Sequence, residues 1–166
     1  MSRCGFYLNN EKQMRSKFML KKSFFGWCLI LTFASLAFAQ EEEVVATTPA
    51  KDSPERTAIM NALRIPIEKE LKQRVQLTIK HFKATDTWAF INGEPLSIKL
   101  VKPDYTGTPY QKAIDDGAFD NNYQALLKKT AGKWKVVVYL IGCTDVCWLD
   151  WEKKHKAPKT IFPKTE

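Results

Sequence analysis

The sequence predicts an α+β domain in which an N-terminal helix packs on a curved antiparallel sheet of four or five strands, with a short helix near the C-terminus. Three observations carry that expectation. Apolar residues recur at spacings of three and four over residues 54–72, which is the period of a helix with one buried stripe. From Val75 onward the period switches to two, the signature of strands with one buried face. The strand-like stretches follow one another without the alternating helices that a parallel sheet requires.

Before the helix come two segments of different character. Lys21 and Lys22 precede the apolar run "SFFGWCLILTFASLAFA", whose end, Ala37-Phe38-Ala39, fits the small-x-small rule for cleavage before Gln40. The run is shorter than the ~20 residues a permanent span needs, so residues 1–39 are expected to be a removable secretory signal. Met19 in front of "LKKSFF" makes an alternative start to Met1. The formal net charge is +8, but residues 1–39 carry six Lys or Arg and one Glu, which leaves +3 on the remainder. So small an excess gives no ground for a nucleic-acid surface. Residues 40–52, "QEEEVVATTPAKD", have no periodicity that buries a face and are expected to be a disordered tether.

The domain proper spans residues 53–166. Ser53-Pro54-Glu55 supplies a cap, a proline at the first helical position and an acid in the first turn. Ile59, Ala62, Leu63, Ile67 and Leu71 form the buried stripe, and Pro66 is expected to kink the helix or split it. Val75, Leu77 and Ile79 alternate with polar residues as a first strand. "KATDT" turns the chain, "WAFING" returns as a second strand and "LSIKLV" reads as a third. Residues 103–122 make a long connection, expected to hold a short helix near 109–114. "YQALLKKT" and "KWKVVVYLIG" flank Ala131-Gly132 as a hairpin, and the second of them, apolar on both faces, is expected at the centre of the sheet. A helix over about 145–155, capped by Thr144 or Asp145, ends the pattern.

The densest chemistry lies in "GCTDVCWLDWEKKH", residues 142–155. Cys4 and Cys28 fall inside the signal, so the exported chain keeps Cys143 and Cys147, an even and close pair that forms a disulfide in an oxidising compartment. Redox catalysis of the thioredoxin type uses two intervening residues, whereas here there are three. A zinc site of Cys143, Cys147 and His155 lacks a clear fourth ligand. Trp148, Trp151 and His155 share one helical face, either as anchors on the sheet or as an aromatic wall of a pocket. His81 continues the parity of Val75, Leu77 and Ile79, which aims it inward as a core residue or as the acid or base of a cavity. Asp104, Asp115, Asp116 and Asp120 miss the calcium-loop spacing. No phosphate loop, nucleophile elbow, zinc-protease helix or kinase signature is present.

The stretches "RTAIMNALRIPIEKEL", "TWAFING" and "TDVCWLDW" together resemble a group of small exported bacterial proteins with helix-Arg-x-Pro, Trp-Ala-Phe and Thr-Asp-Val-x-Trp patterns. The likeness covers about residues 54–162, and the two cysteines depart from it. The element order is also similar to the cystatin-like roll shared with nuclear transport factor 2, a scaffold that hosts both enzymes and binding domains.

These features lead to the expectation of a periplasmic or secreted, non-catalytic binding domain without a cofactor or metal. It binds a protein or small ligand in the cell envelope through the open side of its sheet and the 103–122 loop, for instance as an inhibitor or immunity-type protein. Trp88, Tyr110, Trp148 and Trp151 are the expected contacts. The competing expectation is a small hydrolase or isomerase with His81 as general base and Asp145 as an assisting carboxylate.

Overall fold

In the computed structural model, which describes residues 44–165, the helix begins where the sequence places it. The expected signal, residues 1–39, lies outside the described residues. Helix α1 runs from Pro54 to Leu71, its first turn capped by Ser53, whose hydroxyl accepts the Arg56 N–H at 3.2 Å. Ile59, Leu63, Ile67 and Leu71 are buried as the periodicity requires. Pro66 does not split the helix, which continues to Leu71 and ends on Lys72 in the left-handed region at φ 55°. Only one intrahelical donor is lost at a proline, and packing of the Ile59–Leu71 stripe holds the last turn.

After α1 come strands β1 (Val75–Leu77), β2 (His81–Ala84), β3 (Trp88–Gly93) and β4 (Pro95–Ser97), and a short helix α2 (Gln111–Asp115). Strands β5 (Tyr123–Thr130) and β6 (Lys133–Ile141), helix α3 (Trp151–His155) and a 3-10 turn at Lys159–Ile161 complete the order. Four strands form an antiparallel sheet in the order β2-β3-β5-β6, and β1 pairs separately with β4. The domain is therefore α+β, with a helix on a four-stranded antiparallel sheet and a short C-terminal helix, as expected.

Two strand expectations are corrected. The apolar β6 is an edge strand, not a central one; α1 covers one of its faces, and a bulge opposite Leu126 and Leu127 interrupts its ladder. The continuous strand expected from Val75 instead breaks at residues 78–80. The cause is Gly93, where a Cβ would overlap the carbonyl of Thr78. The chain bends there and Thr78 is pinned to Glu94 by Thr78 N–H to the Glu94 carbonyl at 2.9 Å and Glu94 N–H to the Thr78 hydroxyl at 2.9 Å. The bend resets the alternation, so Phe82 and Ala84 face α1 while His81 and Lys83 face the other way.

The sheet is consequently covered on both sides. On the α1 side lie Phe82, Ala89, Ile91, Tyr123, Ala125 and Leu127. On the other side Trp88, Phe90 and Leu126 meet Trp148, Trp151, Ile161 and Phe162. The C-terminal segment therefore lies over β2 and β3 on the face expected to be open, while Leu140 of β6 on the same face remains exposed.

The described part of the expected tether is also ordered. Thr47 exchanges two 2.8 Å backbone bonds with Ala84, and the Thr48 hydroxyl donates to the Phe82 carbonyl at 3.0 Å. β2 is the other edge of the sheet, with unpaired backbone groups that the 46–48 segment satisfies. Composition without periodicity hid this, since edge pairing uses backbone and not a side-chain stripe.

Candidate functional site

Phe90 is the centre of the second core. It is fully buried and meets Trp148 at 5.4 Å, Trp151 at 6.1 Å and Phe162 at 5.0 Å between ring centroids, mostly edge to face. Such pairs contribute about 0.5–1.5 kcal/mol each beyond area burial. Trp151 is an anchor at 3% exposure, and Trp88 is closed off by Lys128, whose Nζ stands 4.7 Å from the ring centroid. Trp148 stacks on Phe162 at 5.6 Å and 13°, and its remaining edge opens into a groove of about 620 Å³. Leu149, 64% exposed, adds an apolar lip, while Lys153, Lys159 and Lys164 stand around the groove against Glu152, the one acid among the described lining residues. None of these lysines is in an ion pair among the described residues.

The local geometry that makes this groove starts at the disulfide. Cys143 and Cys147 are bonded, with Cα atoms 6.4 Å apart, immediately after β6. The bond and the turns it encloses use residues 143–150, including a Cys147 N–H to Asp145 carbonyl bond at 3.0 Å. The helix expected from about 145 therefore starts only at Trp151. Neither Thr144 nor Asp145 caps it; the Asp145 carboxylate instead accepts the Val146 N–H at 2.7 Å. Trp148 thus sits on a turn in front of α3 rather than on its face, which swings it toward Phe162.

His81 and Asp145 do not meet. His81 lies on the C-terminal side of the sheet and donates from Nε2 to the Ile161 carbonyl at 2.8 Å. Asn92 and Gln124 stand next to it in the cross-strand row, and Gln124 Nε2 reaches the Asp145 carbonyl at 3.5 Å. Two strand spacings, about 10 Å, separate His81 from Gln124 alone. Asp145 is exposed beyond it. No hydrogen bond joins His81 to Asp145 among the described residues. Asn92 Oδ1, Gln124 Oε1 and His155 Nε2 are buried without a partner among the described residues. Sequence reasoning missed Asn92 and Gln124, although a polar residue at an inward position of "YQALL" was the available signal.

Tyr110 falls elsewhere, on the α1 side. Its hydroxyl donates to Glu70 Oε1 at 2.5 Å, and the Tyr139 hydroxyl donates to Glu70 Oε2. Burial first, then the bond to Glu70 and its negative charge, push both tyrosine hydroxyls well above their ordinary range. They remain protonated donors, and the Glu70 carboxylate is a satisfied clamp between α1, β6 and the 103–122 loop. An open cleft of about 870 Å³ with Lys69 and Lys72 lies beside it. Glu70 was not singled out in the sequence, because its partners are 40 and 69 residues away.

The four expected contacts are thus divided. Trp148 reaches a groove, Tyr110 belongs to the clamp, and Trp88 and Trp151 are core. Among the described residues no group of three or more His, Cys, Asp or Glu side chains comes together for a metal ion. The aspartates of the long loop are used locally, as in the Lys112–Asp116 pair at 2.7 Å and the Asp104 carboxylate accepting the Thr106 N–H at 2.9 Å. No family model, curated protein or solved structure matches the chain.

Proposed function

We propose that this chain is an exported, non-catalytic binding domain that holds a segment of a partner protein in the Trp148 groove. The carrying observation is the groove itself: a stacked Trp148–Phe162 wall, an exposed Leu149 lip and three lysines against one glutamate. Aromatic anchors in partly desolvated pockets carry most binding energy at protein interfaces, and a rim of one charge selects the opposite charge. The partner segment is therefore an apolar residue flanked by aspartate or glutamate. An inhibitor or immunity-type protein acting on an enzyme of the bacterial envelope is the specific form this reading takes. The Cys143–Cys147 disulfide suits an oxidising compartment, and the apolar run at 23–39 suits export.

Selection of displayed random peptides on the immobilised chain tests it. The expected winners carry an aromatic or aliphatic anchor beside acidic residues, and Lys153→Glu with Lys159→Glu weakens them at least tenfold without changing the melting temperature by more than a few degrees. Winners without that pattern, or ones that bind the double variant equally well, refute the groove as the binding surface. Any hydrolase or isomerase activity, were one found, should survive His81→Ala, because His81 Nε2 is engaged by the Ile161 carbonyl; loss of that activity would favour the enzyme reading.

A further inference from the structure

The third expected strand, "LSIKLV", stops early, and what replaces its second half is unlike any other surface of the described chain. β4 ends at Ser97, and residues 97–101 close a turn through Leu100 N–H to the Ser97 carbonyl at 2.9 Å and Ser97 N–H to the Val101 carbonyl at 2.8 Å. Its three aliphatic side chains point into solvent: Ile98 is 65% exposed, Leu100 61% and Val101 58%. Leu100 has φ 61°, a left-handed position that glycine or asparagine takes without strain and a bulky residue rarely takes. The chain thus keeps a large apolar side chain where both local conformation and solvent oppose it.

The base of this turn is held firmly. Asp104 N–H donates to Gln73 Oε1 at 3.3 Å while Gln73 Nε2 donates back to the Asp104 carbonyl, tying the returning strand to the end of α1. Around the apolar tip stand Arg74, Lys99 and Lys102. Asp104 is the one acid beside them, and its carboxylate is engaged by Thr106.

We propose that the 98–101 tip is a membrane-docking element, inserting Ile98, Leu100 and Val101 into the interfacial region of an anionic bilayer while Arg74, Lys99 and Lys102 contact the headgroup phosphates. Apolar area and cationic charge act together in such peripheral binding, and neither alone suffices for so small a surface. A second copy of the chain is disfavoured as occupant, since a two-fold contact sets these three cations against their own duplicates. A folded protein partner needs an acid-rimmed cavity shaped for a protruding turn, whereas lipid yields to any convex apolar shape. The inference is independent of the Trp148 groove.

The test places a reporter at the tip, because the apolar run at 23–39 can carry the full chain to vesicles on its own account and sedimentation alone is no support. Leu100→Trp is compared with the wild-type chain in the presence of vesicles of phosphatidylglycerol and phosphatidylcholine with bromine-labelled acyl chains. The expected result is that the additional emission is shifted to the blue and quenched at least twofold by the labelled anionic vesicles. Pure phosphatidylcholine vesicles should give a much weaker effect, and Arg74→Glu with Lys99→Glu should raise the lipid concentration needed for half of the quenching at least tenfold. Additional emission that stays unquenched overturns the proposal. So does a blue shift that depends on protein concentration but not on lipid, which marks a second copy. A shift produced by an acidic apolar peptide and not by lipid overturns it in favour of a protein partner.

Discussion

Gly93→Ala tests whether one missing side chain sets the course of the sheet. A methyl group at this position overlaps the backbone carbonyl of Thr78, and backbone on both sides leaves no flexible side chain to give way. Relief requires moving residues 78–80, and that breaks an identifiable set of bonds. Tyr123, fully buried, donates its hydroxyl to the Thr78 carbonyl at 2.6 Å, and the Thr78 hydroxyl donates to the Glu94 carbonyl at 3.1 Å. Leaving the Tyr123 hydroxyl unbonded in the core costs about 1–3 kcal/mol. Loss of the exchanged Thr78–Glu94 bonds adds about 1–2 kcal/mol, so the whole change destabilises by about 2–5 kcal/mol. With an m-value near 1.5 kcal/mol/M, the urea midpoint falls by about 2 M. Tyr123→Phe alone is expected to cost about 1–1.5 kcal/mol. Because both changes act on the same bond, Gly93→Ala in the Tyr123→Phe background should cost at least about 1 kcal/mol less than in the wild type. Additive effects, or a Gly93→Ala chain within about 1 kcal/mol of wild type, would refute the account of the bend and of the face to which His81 turns.

Three further outcomes are expected. Burial pushes Tyr105 up to about 12, and Tyr123, Tyr110 and Tyr139 higher still, with Arg56 slightly opposing the shift at Tyr123. A hydroxyl whose folded pKa exceeds its unfolded value contributes stability that is complete below pH ~10 and is lost as pH rises toward the folded value. Stability should fall above pH 10 by about 1.4 kcal/mol per pH unit from Tyr123, the half-exposed tyrosines adding less because solvent screens them; unfolding curves at pH 9, 10 and 11 check this, and Tyr123→Phe should flatten the slope. The Cys143–Cys147 bond closes a loop with only three intervening residues, so its reduction should cost about 2 kcal/mol, read as a lower melting temperature with reductant and the same melting temperature for Cys143→Ser with Cys147→Ser. Mass spectrometry of the chain recovered from an exporting host should place its N-terminus at Gln40; an intact Met1 or Met19 contradicts the signal reading.

The parts of the fold that depend on local pattern were legible, and the parts that depend on a single close approach were not. The α1 stripe, the Ser53 cap and the Ala131-Gly132 hairpin, with φ of 50° and 75°, follow from periodicity and turn chemistry. The disulfide follows from two cysteines in one short stretch. His81 is the backbone-bonded inward residue that one of the two expectations describes, but on the Phe90 side of the sheet, because the bend at residues 78–80 opposite Gly93 leaves no mark in the period of the apolar residues. The apolar composition of β6 points to a central strand, yet an edge strand is also apolar where a helix covers one face; Val137 and Leu140 stay exposed. The groove was only half visible. Trp148 announced an aromatic feature, but its stacking partner Phe162 is fourteen residues on and has no pattern to associate it with a site.

The fate of the second sheet face explains why the binding reading moved from the sheet to the C-terminus. A helix on an antiparallel sheet leaves one face to be closed by something, and in an open roll that something is a ligand or a substrate. Here Ile161 and Phe162 lie on Phe90 and Leu126, and the Ile161 carbonyl accepts the His81 Nε2–H. The groove lies between the 3-10 turn on one side and the Trp148-Leu149 turn on the other. Its walls are apolar because they continue the core, and its rim is cationic because the surrounding sequence, "WEKKHKAPKTIFPK", is rich in lysine. The step that covers Phe90 and Leu126 is therefore also the step that builds the groove.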